Sequence, residues 1–290
     1  MLKGIIYLLL AELVFALSSV FAKYAVQGSD LSGLQVVFFR FVFGSILAFY
    51  LLKRNNESFK PNNIKLVIYR SIFNTLSAML FYFSLAYTTV TNTNMLSMTY
   101  PIWVVLFAPM VLHERFRKRN LFFVAVAVIG IYLVVHPNFS SINMGDITAF
   151  LSGVAAGGSI ISLREARKTD STNLIIFYLM TFALVFNGLI LIPIYKNPTQ
   201  LQWLYITLSA IFGLAAQFFI THGYKYIDAT KGSLVSSSRI VIAMALGVVL
   251  FSDNITLQII LGAILIFGAQ IGVIWAQILT MKNLMVRKMK

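Results

Sequence analysis

Ten long apolar stretches, joined by mostly short polar connections, limit what this chain can fold into. They cover residues 4–26, 32–52, 64–87, 92–112, 119–136, 145–163, 173–194, 201–223, 230–251 and 255–281. Each is close to the roughly 17–25 residues that an α-helix needs to cross a bilayer. Backbone polar groups in hydrocarbon must be satisfied internally, which leaves helices or closed barrels, and segments of this length read as helices. Connections such as 27–31 and 88–91 turn the chain straight back, so neighbouring spans run antiparallel in a compact bundle. The expected fold class is an all-α integral membrane protein with ten transmembrane helices.

Charge agrees with that reading and orients it. Only 11% of the 290 residues are charged and 59% are hydrophobic, whereas soluble domains carry about 25% charged residues. Too little polar material is present to cover a water-facing surface. Neither Ala11-Glu12 nor Ser18-Ser19 makes a convincing cleavage site, so the first stretch is expected to be a retained helix rather than a signal peptide. With the N-terminus inside, 18 of the 23 Lys and Arg residues fall in cytoplasmic segments and Lys196 alone in an outer loop. The positive-inside rule then puts both termini in the cytoplasm. The net charge of +14 becomes topogenic charge beside anionic lipid, with no nucleic-acid partner required. The chain has no cysteine, which excludes disulfides and thiolate chemistry.

The segment Leu85–Phe116, LAYTTVTNTNMLSMTYPIWVVLFAPMVLHERF, is echoed by His222–Ile255, HGYKYIDATKGSLVSSSRIVIAMALGVVLFSDNI. Tyr87 matches Tyr224, and Glu114 matches Asp253 after a two-residue slip. Five spans separate the copies, an odd number, so the second copy is inverted in the membrane. Inverted repeats are how many secondary transporters build two access states around one midplane site. The expected division is residues 1–137, residues 138–281 and a basic cytoplasmic tail over residues 282–290.

These segments also carry a resemblance. With VVFFRFVFGS around Arg40, RSIFNTLSAMLFYFSLAYTTVTNTNML on the third span and YPIWVVLFAPMVLHERF on the fourth, the chain resembles the EamA-type members of the drug/metabolite transporter superfamily. The resemblance covers essentially the whole chain. Two departures are Ser252-Asp253, where members often have Gly-Glu, and the lack of a proline near Ile240. It implies a transporter of the cell inner membrane, in a group that moves amino acids, nucleotide-linked compounds, sugar phosphates and drugs.

An ionisable side chain at mid-bilayer is costly, by about 2.5–3.5 kcal/mol on insertion scales, and marks a site or a pair. Five such groups, well inside the spans or on a polar face, need weighing: Glu12, Lys23, Arg40, Arg70 and Arg239. Lys23 is near enough to a helix end to reach the interface by snorkelling. Arg70 could do the same, but it shares a helical face with Asn74, Ser77 and Ser84, a stripe suited to a hydrated wall. Arg40 and Arg239 are nine or ten residues deep, roughly 12–15 Å at 1.5 Å per residue, beyond the reach of snorkelling. Arg40 reads as a structural hub or a binding residue. Gly232, Ser236, Arg239, Ala243 and Gly247 share one face, and Tyr100, just before Pro101, occupies the matching place in the inverted copy. Arg239 is therefore expected either to bind an anionic group of a substrate through its planar fork or to pair with Glu12. Glu12 is a candidate proton carrier, because burial disfavours its charged form, or a fixed partner for Arg40 or Arg239. Gln217 and His222 on the eighth span, with Gln270 and Gln277 on the tenth, are weaker candidates, and a histidine near a helix end is more often simply solvated.

The expected substrate-binding set is Arg239, Ser236, Tyr100, Arg40, Asn74, Ser77 and Gln217, with Glu12 as the coupling residue. The expected activity is secondary transport by alternating access of a small carboxylate-bearing metabolite, amino acids and their derivatives first. An exchanger or exporter of a nucleotide-like, sugar-phosphate or drug substrate is the alternative. Partners are the small-molecule substrate, membrane lipid and a proton as candidate coupling ion, with no cofactor. A channel is the other class, but no ring of like charges or repeated pore loop is present. Enzyme chemistry finds no footing. His113, His136 and His222 lie far apart, His113-Glu114 lacks the second histidine of a zinc helix, and AAGGS at 155–159 reads as small-residue helix packing.

Overall fold

The structure is a computed structural model that describes residues 2–112, 122, 123, 125, 126, 129, 130, 133, 143–227, 229–236 and 238–288. For residues 105, 108–112, 230, 231, 234, 270, 273, 274 and 276–288 it describes the backbone alone. Its helices are α1 (Leu2–Val26), α2 (Gly33–Arg54), α3 (Ile64–Tyr87), α4 (Val90–Ser97), α5 (Tyr100–Leu112) and α6 (Met144–Ala166). They continue with α7 (Thr172–Leu191), α8 (Gln200–Gly223), α9 (Ala229–Ser236), α10 (Ser238–Phe251) and α11 (Leu257–Lys288). A 3₁₀ turn, Ile192–Ile194, extends α7. No strand occurs among the described residues. The expected fifth span, the boundary at 137–138 and the Glu114 end of the fourth span lie largely or wholly outside the described residues.

Local chemistry starts these helices. Ser32, Asn63, Thr89, Asn143, Ser171 and Thr199 each accept a backbone N–H of the first turn they precede. A side-chain oxygen there satisfies one of the four donors that a helix start leaves unpaired. Thr199 and Gln202 complete a reciprocal capping box. Among the described residues, six helices are long and apolar enough to cross a membrane: Leu2–Val26, Gly33–Arg54, Ile64–Tyr87, Met144–Ala166, Thr172–Ile194 and Gln200–Gly223. Their outer faces expose Ile46, Leu189, Leu204 and other large apolar side chains, as lipid-facing helices do.

The expected fourth span, 92–112, differs from a single helix. It is α4 and α5, separated by a turn at Met98 and Thr99. Thr99 N donates to Leu96 O at 3.2 Å, and Ile102 N donates back to Thr99 O at 2.9 Å. Pro101 has no N–H to give the carbonyl of Ser97, four residues earlier, so the ladder cannot run through. Gly153 on α6 makes room for this turn: a β-carbon there would meet Thr99 Oγ1 at 2.7 Å and the carbonyls of Leu96 and Ser97 at 2.9 Å. The ninth span corresponds to α9 and α10, which flank residue 237. The segment expected as a tail from 282 is helical as far as Lys288.

Packing pairs α1 with α8, α3 with α6, and α2 with α7. In addition, α4 packs against α10 and α5 against α9. The interior is apolar between these pairs, with Leu8, Leu96, Ile161 and Tyr224 in one cluster and Phe41, Leu85, Leu179 and Ile206 in another. Buried polar and charged side chains collect where the pairs face each other.

Candidate functional site

A cavity of about 90 Å³ lies inside the bundle, walled by residues of α1, α2, α3, α4, α5, α6, α8 and α10. Its polar lining includes Arg40, Arg70, Asn74, Ser77, Tyr82, Ser97, Tyr100, Ser152, Ser159, Gln217 and Arg239, and its aromatic wall is Phe15 and Phe81. Six of the seven residues expected to bind substrate from sequence come together here: Arg239, Tyr100, Arg40, Asn74, Ser77 and Gln217. Ser236 does not line the cavity. It is buried beside Glu12 on the last turn of α9.

The three guanidinium groups are held differently. Arg239 donates through Nε to Glu12 Oε2 at 2.5 Å, and its Nη2 forms an ion pair with the same oxygen. Its charge also lies 4.5 Å from the centre of the Phe15 ring. The pairing alternative for Arg239 and Glu12 is thus present, together with an Arg239 edge on the cavity. Glu12 is fully buried and is not part of the lining. Around the pair, Ser236, Tyr100 and Tyr224 are buried close to Glu12 and to one another. Arg40 donates through Nη2 to Gln217 Oε1 at 3.3 Å and sits over the Phe15 and Tyr82 rings at 5.6 and 6.0 Å. Gly213 on α8 leaves it space, since a β-carbon there would meet Arg40 Cδ at 2.8 Å. Arg70 donates through Nη1 to Ser159 Oγ on α6.

Three expectations need correction. Arg70 does not snorkel: it is 1% exposed and belongs to the cavity wall, which its shared face with Asn74 and Ser77 signalled. Lys23 does not simply reach toward the interface. Its ammonium donates to the carbonyls of Leu85 at 2.9 Å and Thr88 at 2.8 Å, closing the C-terminus of α3, where positive charge suits the helix dipole. His222 is not merely solvated. Its ring packs edge-on against Tyr7 at 4.7 Å and near Tyr226.

Sequence reasoning missed the counterpart of Lys23. At the far end of α6, Arg164 donates to Tyr224 O at 3.0 Å and Arg167 to Thr221 O at 3.3 Å, closing the C-terminus of α8. Their place at the helix end is visible in the sequence, but backbone carbonyls as partners leave no pattern there. Asp253 accepts from Thr91 N at 3.3 Å and from Thr91 Oγ1 at 2.7 Å at the start of α4. At the end of the bundle where α1 begins, a wider cavity of about 730 Å³ opens among Tyr7, Glu57, Arg167, Asp170, His222 and Lys225. No cluster of His, Cys, Asp and Glu fit to hold a metal occurs among the described residues. The side chains of Gln270 and Gln277 lie outside the described set.

The family described as the EamA-like transporter family matches the chain over residues 2–136 and again over 143–275. Among curated proteins, the pseudopaline exporter CntI of Pseudomonas aeruginosa is 24% identical over 93% of this chain and 95% of its own. Solute carrier family 35 member G1 of Homo sapiens is 23% identical, covering 93% of this chain and 78% of that one. The S-adenosylmethionine uptake transporter of Rickettsia prowazekii is 19% identical over 95% of this chain and 94% of its own. A solved crystal structure superposes with a TM-score of 0.64 at 14% identity, covering 92% of this chain and 94% of the other, and so shares its fold.

Proposed function

The chain belongs to the EamA-like transporter family, and from that premise we propose that it is a secondary carrier of a small carboxylate-bearing metabolite across a bacterial inner membrane. The observation that carries the proposal is the polar, arginine-lined cavity enclosed by apolar helices. Charged groups are retained inside a membrane bundle where they face a cavity, a pathway or each other. Amino acids and their derivatives are the first substrate class, since a carboxylate matches the planar guanidinium fork.

Alternating access between two inverted halves is the mechanism. The helix pairing supports it: spans 1 with 8, 3 with 6, 2 with 7 and 4 with 9 form a set that is unchanged when five is added to every span number of the first half and subtracted from every span number of the second. The divided fourth span at the cavity supports it too, because discontinuous helices commonly form midplane transporter sites. Each end of the bundle has a cationic cap on a helix C-terminus, Lys23 on α3 and Arg164 with Arg167 on α8. These are the contacts that opening at either end would break. The wider cavity lies at the end assigned to the cytoplasm. Glu12 is the coupling residue, releasing or taking a proton as its bond to Arg239 is made or broken.

Relatives include both an exporter and an uptake transporter, so direction is left to the coupling. Purified protein in liposomes should give saturable uptake that is accelerated by unlabelled substrate on the opposite side. A flux that rises linearly with concentration and shows no counterflow would point to a channel and remove the carrier reading.

A further inference from the structure

We infer that the substrate carries two negative charges, received between Arg40 and Arg70 and not by Arg239 alone. The inference rests on the carrier reading above and moves its first substrate class from amino acids to a compact dianion, either a dicarboxylate or a phosphate ester.

The charge inventory of the cavity is lopsided. Three guanidinium groups line it and no acid does. Glu12 answers one of them, Arg239, through a hydrogen bond and an ion pair. Arg40 and Arg70 have only neutral hydrogen-bond partners among the described residues, Gln217 Oε1 and Ser159 Oγ. Both are at least nine-tenths buried, and the Nε of each is buried with no hydrogen-bond partner among the described residues.

A buried charge without a counter-charge is strongly unfavourable. Aromatic faces near Arg40 offset part of its charge, and no ring serves Arg70 in the same way among the described residues. Two free guanidinium groups on one small cavity repel each other and attract oxyanions, which each can bind through paired N–H donors. The same inventory rejects other ligands. A cation, or the ammonium of a simple zwitterion, finds no carboxylate on the lining to receive it. The space, about 90 Å³, is well below the roughly 300–1,000 Å³ of pockets that take drug-sized ligands, so the group bound first is compact. Ser77, Ser152 and Asn74 remain for neutral hydrogen bonds to the rest of the molecule.

The test uses the full chain in detergent and in liposomes, with succinate, glycerol 3-phosphate, lactate and alanine as probes at equal ionic strength. Succinate or glycerol 3-phosphate at millimolar concentration should raise the melting temperature and compete in counterflow. Lactate and alanine should do neither, and which dianion acts separates the two sources. Arg40→Gln and Arg70→Gln should each weaken the dianion effect ten-fold or more, while Arg70→Lys, which keeps the charge and the fold, should retain part of it. Wild-type protein that responds to no dianion, or no better than to lactate, overturns the inference without any variant. Saturable counterflow of alanine or lactate would do so too while leaving the carrier reading intact. The carrier reading fails separately, if every probe that crosses does so without saturation or counterflow.

Discussion

Replacing Arg239 by alanine leaves one carboxylate stranded inside the bundle. Glu12 is 0% exposed and Arg239 8% exposed, and the Nε–Oε2 distance is 2.5 Å. Two unit charges about 4 Å apart attract by about 4 kcal/mol at an effective dielectric constant of about 20. That agrees with the roughly 3–5 kcal/mol lost when one member of a buried pair is removed. Larger domains lose about 2–4 °C of melting temperature per kcal/mol, so Arg239→Ala should melt about 6–20 °C below wild type. Glu12→Gln should cost less, because the remaining guanidinium reaches the cavity and its water, and a glutamine oxygen can still accept its hydrogen bond. The double variant, Glu12→Gln with Arg239→Ala, buries no charge and should melt above Arg239→Ala alone. Melting curves of the four purified proteins form a cycle whose coupling should be about 2 kcal/mol or more, within the range for contacting residues. An Arg239→Ala protein within about 2 °C of wild type, or a double variant no more stable than it, would show that the pair does not hold α10 to α1.

Glu12→Gln should abolish accumulation driven by a pH gradient and leave counterflow largely intact, and a parallel loss of both in liposomes would rule out proton coupling through this residue. Single cysteines at Ser58 and Lys168 should resist impermeant thiol reagents in intact cells while one at Asn197 labels, and labelling of Ser58 from outside would reverse the proposed orientation. Lys23→Met removes two hydrogen bonds from a charged donor, each worth about 1.5–3 kcal/mol. A cysteine at Ser77 should then label faster from the outside, and an unchanged rate would deny Lys23 a part in closure. Gly213→Ala puts a methyl 2.8 Å from Arg40 Cδ and 2.9 Å from the buried Ser18 Oγ, and should raise the counterflow KM several-fold while lowering the melting temperature, since overpacking costs about 1–3 kcal/mol. An unchanged KM would mean that Arg40 shifts without consequence for binding.

The membrane class, the helical spans and the importance of the buried charges were legible in the sequence because each has a one-dimensional signature. Hydropathy sums along the chain, helix caps are local, and an arginine in an apolar run is conspicuous wherever it sits. The face shared by Arg70, Asn74 and Ser77 was likewise written in their spacing. Pro101 marked the place where a helix ladder fails, but the turn at Met98 and Thr99 also needs Gly153 of α6 to make space for it. Which charges pair was beyond reach from spacing alone. Glu12 and Arg239 are 227 positions apart, and whether Glu12 meets Arg239 or Arg40 depends on how α1 packs among α2, α8 and α10. The same holds for Lys23 and Arg164, whose partners are backbone carbonyls that every residue possesses and no sequence pattern distinguishes. Sequence determined that charges lie in the membrane. Only the packing of distant helices decided that one arginine is neutralised while Arg40 and Arg70 face the cavity without an acid, since that is a matter of distance through space.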